Sequence, residues 1–303
     1  MRLSLRALVA RSLLLLGSAC ASTPSAPDAS STPDATSLDS GALPPCTGTE
    51  LVQVRGRMVD EAGLPLEGAR AQLCLRTVPV PPSTEGTLLC VPPPSTDSTG
   101  RYVVDVPLAG RCVERAVLRA LAPPRAFATS YCPIDLTAAA RGELAIEPEL
   151  VLHAVDAERV PERGDLAATR EVLLGGGLAL ELAPDALSDP DDYERLAATR
   201  IDPSRTCVGA RYDGALALYP EAALSRPARV RIANDHGYAA GTALELSLLG
   251  GLGTTLADGT FVEEGALAAF GTAHVTANGA WIESDPGSEL PYLSWLAFRP
   301  VSE

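Results

Sequence analysis

From residue 47 onward the chain repeats one device: a short run in which every second side chain is apolar, followed by a cluster of glycine, proline, acidic and hydroxyl residues. Val52, Val54 and Met58 alternate with Gln53, Arg55 and Arg57. Ala69, Ala71, Leu73 and Leu75 alternate with Arg70, Gln72, Cys74 and Arg76, and Tyr102, Val104 and Val106 with Val103 and Asp105. Successive side chains of a strand point to opposite faces, so this pattern predicts strands buried on one side. "DEAGLPLEG", "PPSTEG" and "PPPSTDSTG" supply turns between them. In "TDSTG", Asp97 can bond the backbone two residues on, and Gly100 can take a positive φ, so the stretch reads as a turn into a strand over 101–106. Few windows carry a helical period, which makes the chain all-β and of β-sandwich type.

The pattern resumes in the second half. Leu178, Leu180 and Leu182 alternate, as do Leu216 and Leu218, Ala228, Val230 and Ile232, and Leu244, Leu246 and Leu248. "DHGY", "ADGT" and "ANGA" mark turns. In "DPDDYERLAATRI" Asp189 and Pro190 could cap a short helix, but a turn followed by a strand is preferred. At 303 residues the chain is expected to hold about two domains of roughly 100–150 residues. Aromatic residues are 4% of the chain, so the cores must be built mainly from Leu, Val and Ala.

The first 45 residues read differently. Arg2, Arg6 and Arg11 precede a short apolar run, Leu13 to Leu16, and then small residues. This reads as an export signal over 1–20, too short to span a bilayer at about 20 apolar residues. "LLGSAC" resembles the lipobox of bacterial lipoproteins, which implies that Cys20 becomes a lipidated first residue. Gly17 departs from that pattern, and cleavage after "ACA", Ala19 to Ala21, is the alternative. Residues 21–45 are rich in Pro, Ser, Thr and Asp and are expected to form a disordered tether. The implied location is the cell envelope, as an outer-membrane lipoprotein, or otherwise a secreted or periplasmic protein.

Six further cysteines follow: Cys46, Cys74, Cys90, Cys112, Cys132 and Cys207. An even number in an exported chain predicts disulfides. Cys74 lies on the polar side of its strand, where a bridge explains it better than a free thiol. Two bridges are expected among the four cysteines from 74 to 132, with Cys74–Cys90 and Cys112–Cys132 favoured because they close short loops. Cys46 and Cys207 would then pair across domains or stay free.

"VRGRMVDEAGLPLEGARAQL" followed by "STDSTGRYVVDVP" resembles the carboxypeptidase regulatory-like domain. The resemblance covers about Val52 to Leu136 and implies a seven-stranded transthyretin-like sandwich with no catalytic residues. This copy departs in its four cysteines and in the insertion "TVPVPPSTEGT". "GGLALELAPDAL…ALALYPEAALSRPARVRIA" is more weakly similar to the β domain first described in ankyrins and netrin receptors, over about Gly175 to Ile232. The expected layout is a first sandwich over 46–160 and a second β-rich domain over 161–303.

No feature points to catalysis. His153, His236 and His274 are far apart, and Asp235 beside His236 would point to the opposite face of a strand. No nucleophile elbow, zinc motif or phosphate loop is present. No catalytic residue, metal ligand or cofactor is therefore predicted. The acidic turn Asp189, Asp191, Asp192 and Glu194 could gather calcium, as more weakly could "TDSTG" with "VDEAG", though solvated turns are the simpler reading. "RGD", Arg163 to Asp165, reads as a chance tripeptide. Trp281, Tyr292, Trp295 and Phe298 could form a sugar-stacking face, but a core-facing terminal strand is preferred, with Tyr292 and Phe298 on one side and Trp295 on the other. The formal charge of −14 opposes nucleic acid as a partner. The expected partners are a membrane, through the anchor, and a protein or glycan ligand. The role is structural or ligand-binding; the alternative is a secreted, unlipidated carbohydrate- or protein-binding protein.

Overall fold

The computed structural model describes residues 45–80, 82–84, 86–122, 127–155, 167–207 and 211–301. Cys20, the 1–20 signal, nearly all of the tether, the "RGD" tripeptide and the boundary expected near residue 160 lie outside the described residues.

Among the described residues, nine strands make the first half: β1 (Thr49–Glu50), β2 (Gln53–Val59), β3 (Arg70–Thr77), β4 (Leu88–Cys90), β5 (Arg101–Asp105), β6 (Cys112–Leu121), β7 (Ser130–Pro133), β8 (Glu143–Ala145) and β9 (Leu150–Val151). One sheet runs β1-β6-β3-β4 with β7 also on β6, and the other runs β5-β2-β8 with β9 also on β2. The alternating residues behave as their period requires. Ala71, Leu73 and Leu75 of β3 face Val54, Met58, Tyr102 and Val104 across a shared core. Just before β2 the buried position is Leu51, while Val52 is only half-buried. The "TDSTG" stretch is a turn: Asp97 Oδ1 accepts from the backbone N–H of Thr99 (2.8 Å) and of Arg101 (3.0 Å), and Gly100 has φ +77°. Only glycine takes that φ without strain.

The described residues of the second half form eight strands: β10 (Arg170–Leu173), β11 (Leu178–Leu182), β12 (Ala197–Ile201), β13 (Gly214–Ala233), β14 (Ala243–Leu249), β15 (Leu267–Val275), β16 (Trp281–Ser284) and β17 (Leu290–Pro300). Their order is β10-β11-β13-β16-β15-β14-β17, and β17 returns to pair β13, so the ladder closes on itself. This barrel-like sheet encloses Leu180, Leu182, Leu216, Leu246, Ile282 and Phe298 among others. Over "DPDDYER" the preferred turn is corrected: Pro190–Arg195 is a short 3-10 helix capped by Asp189, whose side chain accepts from Asp191 N–H, and it leads into β12.

The 20-residue β13 is longer than its sequence suggests, because Pro220 and Pro227 interrupt the pattern. Its register against β17 shifts between Ala217 and Ala222 and again between Ala223 and Ala228, which bracket the two prolines. Proline cannot donate to a ladder and is tolerated in strands at such bulges. The irregularity passes into β17. Leu293 and Leu296 both enter the enclosed core, so strict alternation fails between them. Tyr292 therefore reaches the same outer side as Trp295, not the side of Phe298.

Two of the expected cysteine pairings are corrected. Cys74 and Cys90 are direct cross-strand partners and are bonded. Cys112 pairs with Cys46, and Cys132 with Cys207. The reason is β6. Cys112 opens that strand, whereas Cys132 on β7 lies opposite Leu118. Six residues of strand place them roughly 20 Å apart, far beyond the reach of a disulfide.

Candidate functional site

A third core cluster lies on the outer side of β3, β6 and β7 and is completed by the second half. Cys74, Val117 and Tyr131 pack there with Ile201, Ala215, Leu249, Trp295 and Ala297. The polar side of β3 is thus covered at Cys74, which is 1% exposed, while Arg70 on the same side stays open to solvent. The Cys132–Cys207 bridge crosses this seam, closing a sequence separation of 75 residues.

A polar network is buried in the seam. Glu221 of β13 accepts at Oε2 from Arg119 of β6, by Nη2 at 2.6 Å and Nε at 3.2 Å. Its Oε1 accepts from the hydroxyls of Tyr131 and of Tyr292, the latter at 3.1 Å. Arg119 Nη1 also donates to Gln72 Oε1 at 3.1 Å. Burial first, and then the Glu221 carboxylate, hold both phenols far above their ordinary pKa, so each stays a neutral donor. Every oxygen of Glu221 is bonded, as a buried charge requires. Nearby, Trp295 Nε1 donates to the Thr129 carbonyl at 2.9 Å, and the Trp295 ring meets the edge of His153 at 5.8 Å.

His153 is 1% exposed. Its Nδ1 lies 2.9 Å from Glu61 Oε1, and its Nε2 is buried without a partner. Desolvation, the largest cause, lowers its pKa; the Glu61 contact opposes that. His236 stacks on Tyr238 at 5.5 Å in the turn after β13. His274 forms a pair that the chain order concealed: its Nδ1 is 2.7 Å from Asp285 Oδ1. This orients an imidazole as a catalytic dyad would. However, the hydroxyl of Thr272 bonds Asp285 (2.6 Å), not the ring, so no activated nucleophile results. The three histidines stay in three places.

Among the described residues no group of three or more His, Cys, Asp or Glu side chains is placed to hold a metal ion. In the acidic turn Asp189 is used as a cap and Asp192 pairs with Arg195 at 2.9 Å. Of the four aromatics, Tyr292, Trp295 and Phe298 are buried, while Trp281 lies half-buried with Arg231 over its ring at 4.7 Å.

An open groove lies on the outer face of the β5-β2-β8 sheet. It measures about 890 Å³, and its lining includes Arg55, Arg57, Arg101, Arg205, Glu147 and Glu149. Arg57 sits directly opposite Arg101, and Arg55 has Val103 on one side and Ala145 on the other. Arg57 is tied to Glu149 and to the Thr99 carbonyl (2.8 Å), and Arg205 to the Glu61 carbonyl (2.8 Å). Beneath, Gly56 lets Tyr102 lie close; a Cβ at 56 would overlap the Tyr102 hydroxyl. This cluster has no motif: its arginines come from β2, β5 and a distant turn, and only the alternation of β2 hints at two of them.

No family model matches the chain, and no curated protein matches it by sequence. Among solved structures it is similar to the shaft pilin SpaA of Lactobacillus rhamnosus GG, at 12% identity and a TM-score of 0.21, covering 84% of this chain and 89% of that one. It is also similar to the major pilin SpaD of Corynebacterium diphtheriae, at 9% identity and a TM-score of 0.24, covering 82% of this chain and 56% of that one. Overlaps this loose tie neither fold nor role to those pilins.

Proposed function

We propose that the chain is an exported, non-catalytic lipoprotein of the bacterial cell envelope, in which lipid on Cys20 and the 21–45 tether hold a β body at the outer membrane. The observation that carries this reading is the cysteine pairing. All six downstream cysteines pair with one another, so Cys20, in "LLGSAC", is the one cysteine with no disulfide role among them. Three disulfides suit an oxidising compartment, as export requires. Acyl chains contribute about 0.8 kcal/mol per buried CH₂, so two or more chains hold a soluble body firmly.

The body's role in this reading is structural and ligand-presenting. Its first half is proposed as a carboxypeptidase regulatory-like module: the "DEAGLPLEG" turn joins β2 to β3, and "TDSTG" opens β5, where that motif pair would put them. The second half is proposed as a relative of the β domain of ankyrins and netrin receptors. Its partners are the membrane and a protein or glycan.

Mass spectrometry of the N-terminal peptide, with membrane fractionation of wild type and Cys20→Ser, tests the anchor. A lipid-bearing Cys20 and a soluble variant are expected. A free N-terminus at Ser22 overturns the anchor in favour of a secreted, unlipidated binding protein.

A further inference from the structure

The groove on the β5-β2-β8 sheet is an electrostatic exception in this molecule. Acids outnumber arginines in the chain, 38 to 24, yet four arginines and two glutamates line this groove. One of those glutamates, Glu149, is taken up by Arg57. Arg55 and Arg101 are exposed, and among the described residues neither guanidinium makes an ion pair or hydrogen bond.

The register sharpens the point. Arg57 and Arg101 are direct cross-strand neighbours, so their side chains leave the same face roughly 5 Å apart. Like charges in that relation are destabilising. Arg55 lies two residues along β2 on the same face, roughly 7 Å away. Arg205 enters from the other half of the body. On a floor of short side chains (Val103, Ala145), Arg55 and Arg101 are bidentate donors for oxyanions, with the partly engaged Arg57 beside both and Arg205 on the wall adding positive charge.

We propose that this groove binds an acidic polysaccharide, with Arg55 and Arg101 holding successive carboxylates and Arg57 and Arg205 flanking them. A single small anion would engage one or two of these groups and leave the others unmatched. A peptide strand would instead need a free sheet edge or apolar pockets for its side chains, and the row of arginines lies across the sheet face. A polysaccharide acid carries anions at intervals and hydroxyls along its whole length, and guanidinium N–H groups serve both. This assignment is independent of the state of Cys20.

The test is a titration of the full mature protein with polygalacturonate at low salt, alongside neutral dextran, poly-L-glutamate and inorganic phosphate. Polygalacturonate is expected to bind, to weaken with added salt, and to bind about tenfold or more weakly to Arg55→Gln/Arg101→Gln. Arg226→Gln, an exposed arginine on β13, serves as the charge control and should bind as wild type does. The double variant should melt at or slightly above wild type, because among the described residues neither guanidinium makes an ion pair or hydrogen bond and the loss of Arg101 relieves its repulsion with Arg57. Absent binding, or unchanged affinity in the double variant, overturns the proposal. Equal affinity for poly-L-glutamate would make the ligand a protein, and equal affinity for phosphate alone would make it a small anion; either result also overturns it. Cys20→Ser protein should bind as wild type does, which separates this result from that of the anchor.

Discussion

Arg119 and Glu221 lie 102 residues apart in sequence and meet in the seam at 2.6 Å, one from each half of the β body. The Glu221 side chain is 6% exposed and also receives two phenol hydroxyls. Removing it leaves Arg119 with only the neutral Gln72 as an acceptor and takes the Glu221 acceptor from Tyr131 and Tyr292. Breaking a buried pair from one side typically costs about 3–5 kcal/mol, more than the pair itself contributes, because the other charge is left unpaired. Glu221→Ala should therefore lower the unfolding free energy by about 3–5 kcal/mol and the denaturation midpoint with it. Adding Arg119→Met to it should recover part of the loss, since the stranded charge is then gone. Urea denaturation of the two single variants and the double decides it; strictly additive losses would deny the coupling.

The disulfides should differ in weight. In the chain-entropy account, closing a loop of about 16 residues stabilises by about 3 kcal/mol and one of about 75 by about 4.5 kcal/mol. Replacing Cys132 and Cys207 by Ala should thus depress the melting temperature more than replacing Cys74 and Cys90, whose separation is 16. It also removes the covalent tie across the seam. Non-reducing peptide maps should yield Cys46–Cys112, Cys74–Cys90 and Cys132–Cys207; a Cys112–Cys132 peptide would contradict the β6 geometry.

Strands and turns were open to reading because their signals are local. The alternation of Leu244, Leu246 and Leu248 needs no partner to be recognised, and all three are fully buried. The Asp97 turn likewise closes within four residues. The seam was closed to reading for the opposite reason. Arg119 and Glu221 are ordinary polar residues on their own strands, and nothing near either one names the other. Cys112 and Cys132 are close in sequence but are kept apart by the length of β6, which appears only once the strand is continuous. Strict alternation puts Tyr292 on the side of Phe298, and it fails there because two prolines in β13 shift the register against β17. The groove was invisible because cross-strand register, not sequence, sets Arg57 against Arg101.

Tyr102 offers a substitution that should stabilise. Its hydroxyl is buried under Gly56 without a hydrogen-bond partner, and burial pushes its pKa far above the ordinary phenol value. An unsatisfied buried hydroxyl costs about 1–3 kcal/mol. Tyr102→Phe deletes that oxygen and leaves the ring in place, so stability should rise by about 1 kcal/mol. Gly56→Ala should destabilise in the wild-type background, because the new methyl overlaps the hydroxyl, and less so in Tyr102→Phe. Melting temperatures of the three variants check both statements, and a Tyr102→Phe protein less stable than wild type would mean that the hydroxyl has a partner.

His153 should make the body weaken in mild acid. The ring is buried against Trp295, and desolvation lowers its pKa from the ordinary value near 6.5. Of the charged groups facing it, Glu61 and Asp202 favour protonation and Arg205 opposes it, but burial is the largest cause. A base whose folded pKa is depressed binds fewer protons when folded than when unfolded, so stability rises with pH between the two values. The contribution is complete above about 6.5 and is lost as pH falls toward and through the folded value. The turn aspartates, Asp97, Asp135, Asp202 and Asp258, also have lowered pKa values through bonds to nearby hydroxyl and backbone groups. Their effect has the same sign but sets in below the unfolded aspartate value of about 3.9, a separate window. His153→Phe keeps an aromatic edge against Trp295 and leaves Glu61, whose side chain is 42% exposed, in contact with water. Urea midpoints at pH 7.5 and pH 5.5 should fall with pH for wild type and stay level for His153→Phe. An equal fall in both proteins would assign the acid sensitivity to another group.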